Sequence, residues 1–306
     1  MKIHHAFPDR APERAFVVAV GFFDGMHRGH RAIVGTALRL RRAGERSAVL
    51  TFREHPAAFL RPGHEPPAIA TLEERVNAFA RAGFDEAFII PFDGALASLS
   101  PERFLDETLI ARLNARVMVV GANFRFGHKR AGDVAFAERH LRERAREIVA
   151  VPNQLDGGER ISSTRIRAAI AAADLAAADR LLGASYTVRG VVAFGAGRGH
   201  DLGYPTANLA VPAQKLLPPD GVYRITARHD GRDYFGLVSI GTNPTFEGTA
   251  RSVEAWLLDF NGALYGEELA LRDFRFVRAQ RRFDSAAELI EQMRKDAATV
   301  TFPTVV

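Results

Sequence analysis

Hydrophobic and polar positions in the first half of the chain alternate between buried strands and amphipathic helices. Short continuous apolar runs predict strands at residues 16–20, 48–52, 87–90 and 116–120. Apolar residues at helical spacing and capping signals predict helices at about 31–42, from a Thr71/Glu74 capping box to about 82, and from the Ser100-Pro101 cap to 113. This alternation is typical of an α/β domain whose parallel sheet is covered by helices on both faces.

The pattern changes after Gly183. Strand-like runs at 186–194, 223–227, 235–240 and 253–260 are separated by Gly, Pro and Asn. Helical spacing returns only near the end, where Ser285 and Glu288 form a second capping box before a helix to about residue 298. We therefore predict two domains: a parallel-sheet α/β domain at 1–183, and a small antiparallel β-barrel with a terminal helix at 184–306.

Composition narrows the class of protein. The chain has 306 residues, 47% of them apolar, and a net charge of +5 that is spread among acidic residues, which favours a nucleotide-sized anion over a nucleic acid. The absence of cysteine excludes disulfides, thiolate metal sites and a cysteine nucleophile. No run reaches the ~18 apolar residues that span a membrane, and the first residues lack the apolar core of a secretory signal. We expect a soluble, cytoplasmic protein, with a homo-oligomer left open.

A glycine-rich turn follows the first predicted strand and leads into a helix. Its candidate phosphate-binding residues are Gly21, Phe23, Asp24, Gly25, His27, Gly29 and His30. A helix N-terminus attracts phosphate, glycines allow the backbone to approach a nucleotide, and two imidazoles can donate hydrogen bonds to a polyphosphate. The alternative is a structural turn with incidental histidines.

A second segment opens another helix near residue 160. Ser163, Thr164 and Arg167 offer hydroxyl and guanidinium groups suited to phosphates. Helix capping by Ser163 or Thr164 would explain the hydroxyls without any ligand. Because both segments occur in one α/β domain, we favour a shared phosphate site.

The predicted barrel has polar candidates of its own. A loop with Gly195, Gly197 and Arg198 can surround phosphates with backbone N–H groups, although such loops are more often only turns. Thr206 and Asn208 offer neutral oxygen ligands of the kind that Mg²⁺ accepts.

One acidic residue of the barrel is a candidate base. Glu254 shares a strand face with Trp256, and a carboxylate beside an indole can be positioned to accept a proton. By pattern alone, an ordinary exposed glutamate is the more common case.

Together these motifs resemble a known family. Gly-x-Phe-Asp-Gly-x-His-x-Gly-His at 21–30 and Ile-Ser-Ser-Thr-x-x-Arg at 161–167 are similar to the signature pair of the nucleotidyltransferase superfamily. Thr-Phe and His-Pro within 51–56, Val-Gly-Ala-Asn-Phe-Arg-Phe-Gly at 120–127, Pro-Thr-Ala-Asn at 205–208 and Ile-Gly-Thr-Asn-Pro-Thr-Phe at 240–246 resemble the bacterial bifunctional riboflavin kinase/FAD synthetases. The resemblance covers the chain from about residue 16 to residue 296.

The resemblance implies a Rossmann-like nucleotidyltransferase domain that makes FAD from FMN and ATP, and a riboflavin kinase barrel that makes FMN and ADP from riboflavin and ATP. It implies that His27, His30 and Glu254 are catalytic. The other implied contacts are ATP at Gly21, Phe23, Asp24, Gly25, Gly29, Ser163, Thr164 and Arg167; flavin and nucleotide at His55, Asn123 and Phe124; ATP in the kinase at Gly195, Gly197, Arg198, Thr206 and Asn208; Mg²⁺ at Thr206 and Asn208; and flavin at Glu254 and Arg278.

The sequence also departs from the family. Phe22 replaces a usual Asn, and Arg53-Glu54 precede His55-Pro56 where a Pro before the His is usual, so we expect altered flavin or nucleotide affinity. In the barrel, Asn261 and Ala263 replace Asp, and Gln280 replaces a Glu, which we expect to weaken an ion pair that orients Arg278. The alternatives are one retained activity, or a flavin- or nucleotide-binding regulator.

Overall fold

Parallel strands form the central sheet of the first half of the chain. The computed structural model describes residues 1–193, 206–242 and 251–300. The strands of the first half are β1 Lys2–His4, β2 Phe16–Val20, β3 Arg46–Phe52, β4 Glu86–Ile90, β5 Ala115–Gly121, β6 Arg125–Phe126, β7 Gly132–Asp133, β8 Glu147–Val151, β9 Leu155–Asp156 and β10 Glu159–Arg160. Six of them form a parallel sheet in the order β1-β4-β3-β2-β5-β8.

The strand order reverses beside β2. The chain builds outward from β2 through β3 and β4, and then crosses to the other side of β2 with β5 and β8. The carboxyl ends of β2 and β5 therefore flank a topological switch point, which is where open α/β sheets bind ligands.

Helices cover both faces of this sheet. They are α1 Arg28–Arg39, α2 Pro56–Leu60, α3 Leu72–Ala82, α4 Gly94–Ala97, α5 Pro101–Arg103 and α6 Val134–Arg142, with a π-helix at Phe104–Arg112 and short 3₁₀ turns at Asp24–Met26 and His128–Arg130. Val18 and Val20 of β2 belong to a buried cluster that includes Leu105 of the π-helix, whereas Val17 belongs to the cluster that includes Phe79 of α3. Both faces are apolar, which is why the strands are continuous apolar runs, and the predicted α/β fold is confirmed.

A closed antiparallel barrel forms the second half. Its strands are β11 Val188–Ala193, β12 Ala207–Ala210, β13 Gly221–His229, β14 Arg232–Thr242, β15 Arg251–Leu257 and β16 Glu268–Arg278, in the order β11-β12-β15-β14-β13-β16. Pairing of β16 with β11 closes the barrel. Helices α7 Ser163–Ala171 and α8 Leu175–Leu182 precede it, and α9 Ala286–Ala297 follows it from a Ser285 cap. The predicted barrel with a terminal helix is confirmed.

Several elements differ from the sequence prediction. Helix α1 begins at Arg28, earlier than the predicted start at about residue 31. The prediction was late because the first turn is polar and the apolar spacing starts only at about Ile33. The strands β1, β12 and β16 were not predicted, since β1 and β12 are short and charged residues interrupt the apolar pattern of β16. The predicted helix from 101 to 113 is π-helical over most of its length.

The two compact units of the chain divide between Ser163 and Thr164, at the first residue of α7. In the second unit, the Asp179 carboxylate of α8 accepts the backbone N–H of Tyr186 at 2.6 Å, so α8 is attached to the start of the barrel. The domain boundary at Gly183 stays a prediction. Among the described residues, no helix is long and apolar enough to cross a membrane.

Candidate active sites

A cavity of about 240 Å³ lies at the switch point of the sheet. Gly21 follows β2, Gly121 ends β5 and Val151 ends β8, and all three line the cavity. The first turn of α1 and Ser163 complete the wall. The turn predicted to bind phosphate therefore lies where this class of sheet binds ligands.

The two histidines of this turn form one stacked unit. His27 caps α1, and its Nδ1 accepts the backbone N–H of His30 at 3.2 Å. The two imidazole rings are stacked, with centroids 3.6 Å apart and planes inclined by 18°. Because Nδ1 of His27 is an acceptor, the proton of the neutral ring resides on Nε2. At Gly29 an added Cβ would lie 3.1 Å from the His27 ring, so a side chain there would displace that ring by a few tenths of an ångström.

Burial keeps this pair uncharged. Burial lowers the pKa of His27 to about 4, with the Arg160 charge adding to the shift and a backbone hydrogen bond opposing it. Burial and the neighbouring His27 hold the pKa of His30 well below its ordinary value. Both rings are therefore neutral at pH 7, and they act as hydrogen-bond donors and not as fixed cations. Nδ1 of His30 is buried, and no residue in the described ranges makes a hydrogen bond to it.

The two sequence motifs meet beside this pair. The Ser163 hydroxyl donates to the backbone carbonyl of Asp24 at 3.2 Å, although 139 positions separate them. The Asp24 carboxylate is buried and accepts the backbone N–H groups of Ile69 at 3.2 Å and Ala70 at 2.9 Å. The Asp24 carboxylate thus attaches the turn to the segment at Ile69 and Ala70. A contact of Asp24 with ATP stays a prediction.

Phe23 and Gly25 give the turn its shape. Phe23 has a left-handed conformation with φ 58°, which is uncommon for a residue with a side chain, and Gly25 has φ 81°. The Phe23 ring is buried and meets the His30 ring edge-on at 5.3 Å and the Phe79 ring at 5.7 Å. The ring of Phe23 therefore packs against the His30 ring of the histidine pair.

A buried arginine that the sequence analysis did not select joins the ends of two strands. Nη1 of Arg75 donates to the backbone carbonyls of Phe22 and Phe52, both at 3.0 Å, and to Oγ1 of Thr51 at 3.1 Å. Nη2 donates to the carbonyl of Arg53 at 2.9 Å. Arg75 lies on α3 and is 2% exposed. A helical arginine close to a capping box gives no sign of this role in the sequence.

Arg75 lies close to the residues that depart from the family pattern, Phe22 and Arg53-Glu54. The Phe22 ring lies 4.2 Å from the Arg75 guanidinium carbon and meets the His55 ring edge-on at 4.7 Å. The Glu54 carboxylate favours the charged form of Arg75 and so opposes the effect of burial. His55 caps α2 by accepting the N–H of Ala57 at 3.1 Å, and it is not among the residues that line the cavity.

A second cleft of about 570 Å³ adjoins the first. Asn123, Phe124 and Arg160 line both of them. The Phe124 ring stacks on Phe126, with centroids 5.5 Å apart and an angle of 18°. The structure thus places Asn123 and Phe124 in the lining of the same cavity as the histidine pair, while their contacts with flavin and nucleotide stay predictions. Arg160, the residue before the Ile-Ser-Ser-Thr segment, adds a positive charge that the sequence analysis did not select.

The remaining residues of the second motif lie on α7. Thr164 and Arg167 fall in its first turns and belong to the second compact unit. Their contacts with ATP stay predictions.

The barrel aligns its polar candidates across neighbouring strands. Asn208 of β12 lies directly opposite Glu254 of β15, and Glu254 lies opposite Ser239 of β14. Directly opposite residues point to the same face of a sheet, with Cβ atoms about 5 Å apart. The flanking Val253 and Ala255 are buried in the barrel, so this polar row lies on its outer face.

Glu254 is oriented by a neighbouring hydroxyl. Oγ of Ser252 donates to Oε1 of Glu254 at 3.2 Å. Thr206 directly precedes β12, two residues before Asn208. Gly195, Gly197 and Arg198 lie outside the described residues. The hydroxyl of Thr206 and the amide of Asn208 are hard oxygen donors of the kind that Mg²⁺ accepts, and the strand register brings the Glu254 carboxylate opposite Asn208.

Arg278 obtains its ion pair from the terminal helix. Its Nε lies 2.9 Å from Oδ2 of Asp296 and its Nη2 lies 2.8 Å from the same oxygen. Asp296 is 3% exposed and also accepts from Gln292 at 2.7 Å. Gln280 instead donates to Oγ of Ser239 at 3.0 Å. The expectation that Gln280 weakens the ion pair of Arg278 is therefore not met in the structure, because the carboxylate comes from α9.

The two candidate sites indicate the class of protein. They are typical of a nucleotide-binding α/β domain followed in the chain by a barrel that offers a carboxylate and oxygen donors for a metal ion. The family model described as FAD synthetase matches residues 9–165, and the one described as riboflavin kinase matches residues 182–302. A relative from Listeria monocytogenes, named bifunctional riboflavin kinase/FMN adenylyltransferase, is 36% identical over 92% of this chain and 90% of its own. A relative of the same name from Bacillus subtilis is 34% identical over 96% of this chain and 93% of its own.

The chain belongs to the bifunctional riboflavin kinase/FMN adenylyltransferase family. A solved structure from Streptococcus pneumoniae, described as a macrolide-efflux protein, is also similar, with a TM-score of 0.86 and 31% identity. The match covers 97% of this chain and 98% of that one. That similarity shows a shared fold.

Proposed function

We propose that this chain phosphorylates riboflavin with ATP to give FMN and ADP, and then adenylylates FMN with a second ATP to give FAD and pyrophosphate. Both matched domains and the named relatives support this pair of reactions. The observation that carries the proposal furthest is the Ser163–Asp24 hydrogen bond, because it joins two distant phosphate-binding motifs at one cavity.

In the adenylyltransferase site, the FMN phosphate oxygen attacks the α-phosphorus of ATP. The bond from that phosphorus to the bridging oxygen breaks, and pyrophosphate leaves. His27 and His30 donate hydrogen bonds as neutral rings to the phosphates, while Arg160 supplies positive charge beside them. No protein nucleophile is needed, because positioning and charge stabilisation dominate such transfers. Asn123 and Phe124 contact the flavin and nucleotide, together with His55 by resemblance.

In the barrel, the ribityl 5′-hydroxyl of riboflavin attacks the γ-phosphorus of ATP, and ADP leaves. Glu254, held by Ser252, accepts the hydroxyl proton. Thr206 and Asn208 would hold Mg²⁺ and ATP, and Arg278, paired with Asp296, would contact the flavin. Mg²⁺ held there would offset the charge on the transferred phosphoryl group. We also propose a cytoplasmic location, and the oligomeric state is left open.

The test begins from two different substrates. The chain is incubated with ATP and Mg²⁺ and with either riboflavin or FMN, and the flavins are separated by chromatography. We expect riboflavin to give FMN and then FAD, and FMN alone to give FAD with release of pyrophosphate. FMN accumulating without FAD would contradict the adenylyltransferase, and FAD formed only from FMN would contradict the kinase. Binding without product in either reaction would favour a regulator.

A further inference from the structure

Arg75 is a buried charge that neither proposed reaction uses. It is 2% exposed, and although burial lowers its pKa to about 10, the guanidinium stays charged at neutral pH. Taking such a charge out of water is costly unless hydrogen bonds compensate. Its bonds therefore indicate what the fold gains by burying it.

Those bonds converge on the residue that precedes the left-handed turn. The Phe22 carbonyl accepts from Nη1 of Arg75 at 3.0 Å and from Oγ1 of Thr51 at 3.2 Å. Thr51 and the carbonyls of Phe52 and Arg53 also accept from the same guanidinium, so the group links the end of β3 to the exit of β2. The planar guanidinium suits several acceptors held in one plane.

The segment that leads into α3 holds the other side of that turn. The Asp24 carboxylate accepts the N–H groups of Ile69 and Ala70, in the segment that leads into α3. Phe23 lies between these two attachments, with φ 58°. A side-chain-bearing residue keeps such a conformation only when its surroundings impose it. The Phe23 ring then rests against His30.

We propose that Arg75 is a positioning residue for adenylyl transfer: it holds the Phe22 carbonyl, so that Phe23 keeps its left-handed turn and its ring holds the His30 imidazole in place. The inference rests on the proposed adenylyltransferase activity. Arg75 itself does not line the cavity, so we infer that its effect on the reaction passes through Phe23.

The first test uses variants of one helix. Arg75→Met removes all the guanidinium bonds, Arg75→Lys keeps the charge, and Arg81→Met is a matched control because Arg81 is an exposed arginine on the same helix. We expect Arg75→Met to lower kcat for FAD formation on the order of 10²-fold, with KM for ATP changed by less than about threefold, since a displaced group costs rate more than binding. Arg75→Lys should recover part of kcat.

The riboflavin kinase reaction of the same molecules is the internal control and should be unchanged in every variant. A purely structural role predicts lower thermal stability with normal kcat below the unfolding temperature, and that result would overturn the inference. If the wild-type chain does not form FAD at all, the proposed function fails instead, so the two failures are distinguishable.

A second variant covers the case in which Arg75→Met does not fold. Phe23→Leu leaves Arg75 and its bonds in place but removes the ring beside His30, and we expect the same loss of kcat. In protein labelled at histidine, the His30 ring signals should shift in Arg75→Lys and in Phe23→Leu, while those of His229 in the barrel should not. Unshifted His30 signals, or normal kcat in both variants, would contradict the inference.

Discussion

The two candidate sites are built in different ways. In the α/β unit, the predicted phosphate-binding groups follow strand ends, and their positions depend on an unusual turn at Phe23 and on the buried, uncharged His27/His30 pair. In the barrel, strand register places Asn208 opposite Glu254, and Ser252 orients the Glu254 carboxylate. A site made of turns needs supporting residues such as Arg75, whereas a site made of paired strands takes its geometry from the ladder.

The largest expected effect is a loss of the barrel's reaction that leaves the reaction of the α/β unit unchanged. Glu254→Gln removes the proton acceptor, so we expect FMN formation to fall about 10²- to 10⁴-fold while conversion of FMN to FAD stays unchanged. Initial rates with riboflavin and with FMN measure the two effects. Glu268→Gln, at an exposed glutamate of β16, serves as control.

The converse change tests the other site. His30→Ala removes a hydrogen-bond donor and half of the stacked pair, and we expect FAD formation to fall about 10²- to 10³-fold with normal FMN formation. His64→Ala, at an exposed histidine, is the control. Loss of both activities from a folded protein in either experiment would show that the two sites do not work separately.

A third change tests how the barrel holds the flavin. Asp296→Asn removes the carboxylate from Arg278, and we expect KM for riboflavin to rise about tenfold, equivalent to about 1.4 kcal/mol, because the guanidinium loses its charge-assisted hydrogen bonds. Steady-state kinetics of FMN formation measure it. Asp284→Asn, near the start of the same helix, should leave KM unchanged. An unchanged KM in Asp296→Asn would remove Arg278 from the flavin site.

The smallest effect is a pH dependence confined to the α/β unit. The pKa of His27 falls to about 4 in the folded state and that of His30 is also lowered, so below about pH 6.5 the unfolded chain takes up protons before the folded one and stability is lost as the pH falls. Between pH 7 and pH 6 we expect about 0.7 kcal/mol of unfolding free energy to be lost through His27, with His30 acting in the same direction. Denaturant unfolding at several pH values, compared with the His27→Gln/His30→Gln double variant, measures it. Equal pH slopes would contradict buried neutral histidines.

Buried strands and helix caps were well predicted from sequence, because they depend on local spacing. The apolar runs of β2, β3, β4 and β5 and the capping box at Thr71 lie where the pattern placed them, whereas Ser285 caps α9 with its hydroxyl but the Glu288 carboxylate accepts the N–H of Asp284 instead of completing a box. The start of α1 was placed too late, since a side-chain cap by His27 leaves no apolar signal. The candidate site residues were selected because they form short motifs, whereas supporting residues such as Arg75 and Asp296 belong to no motif.

By itself, the sequence determined the α/β and barrel classes, and it selected the two candidate phosphate-binding motifs and the candidate base Glu254, since each depends on residues that are near one another in the chain. Only the tertiary structure decided that Ser163 meets Asp24, that Asp296 and not residue 280 pairs with Arg278, and that Phe22 stacks on a buried Arg75. These contacts join distant segments, and a single sequence carries no signal for such pairs. The turn at Gly21 to His30 can thus be predicted from the sequence. The left-handed conformation of Phe23, whose ring packs against His30, depends on the fold around it.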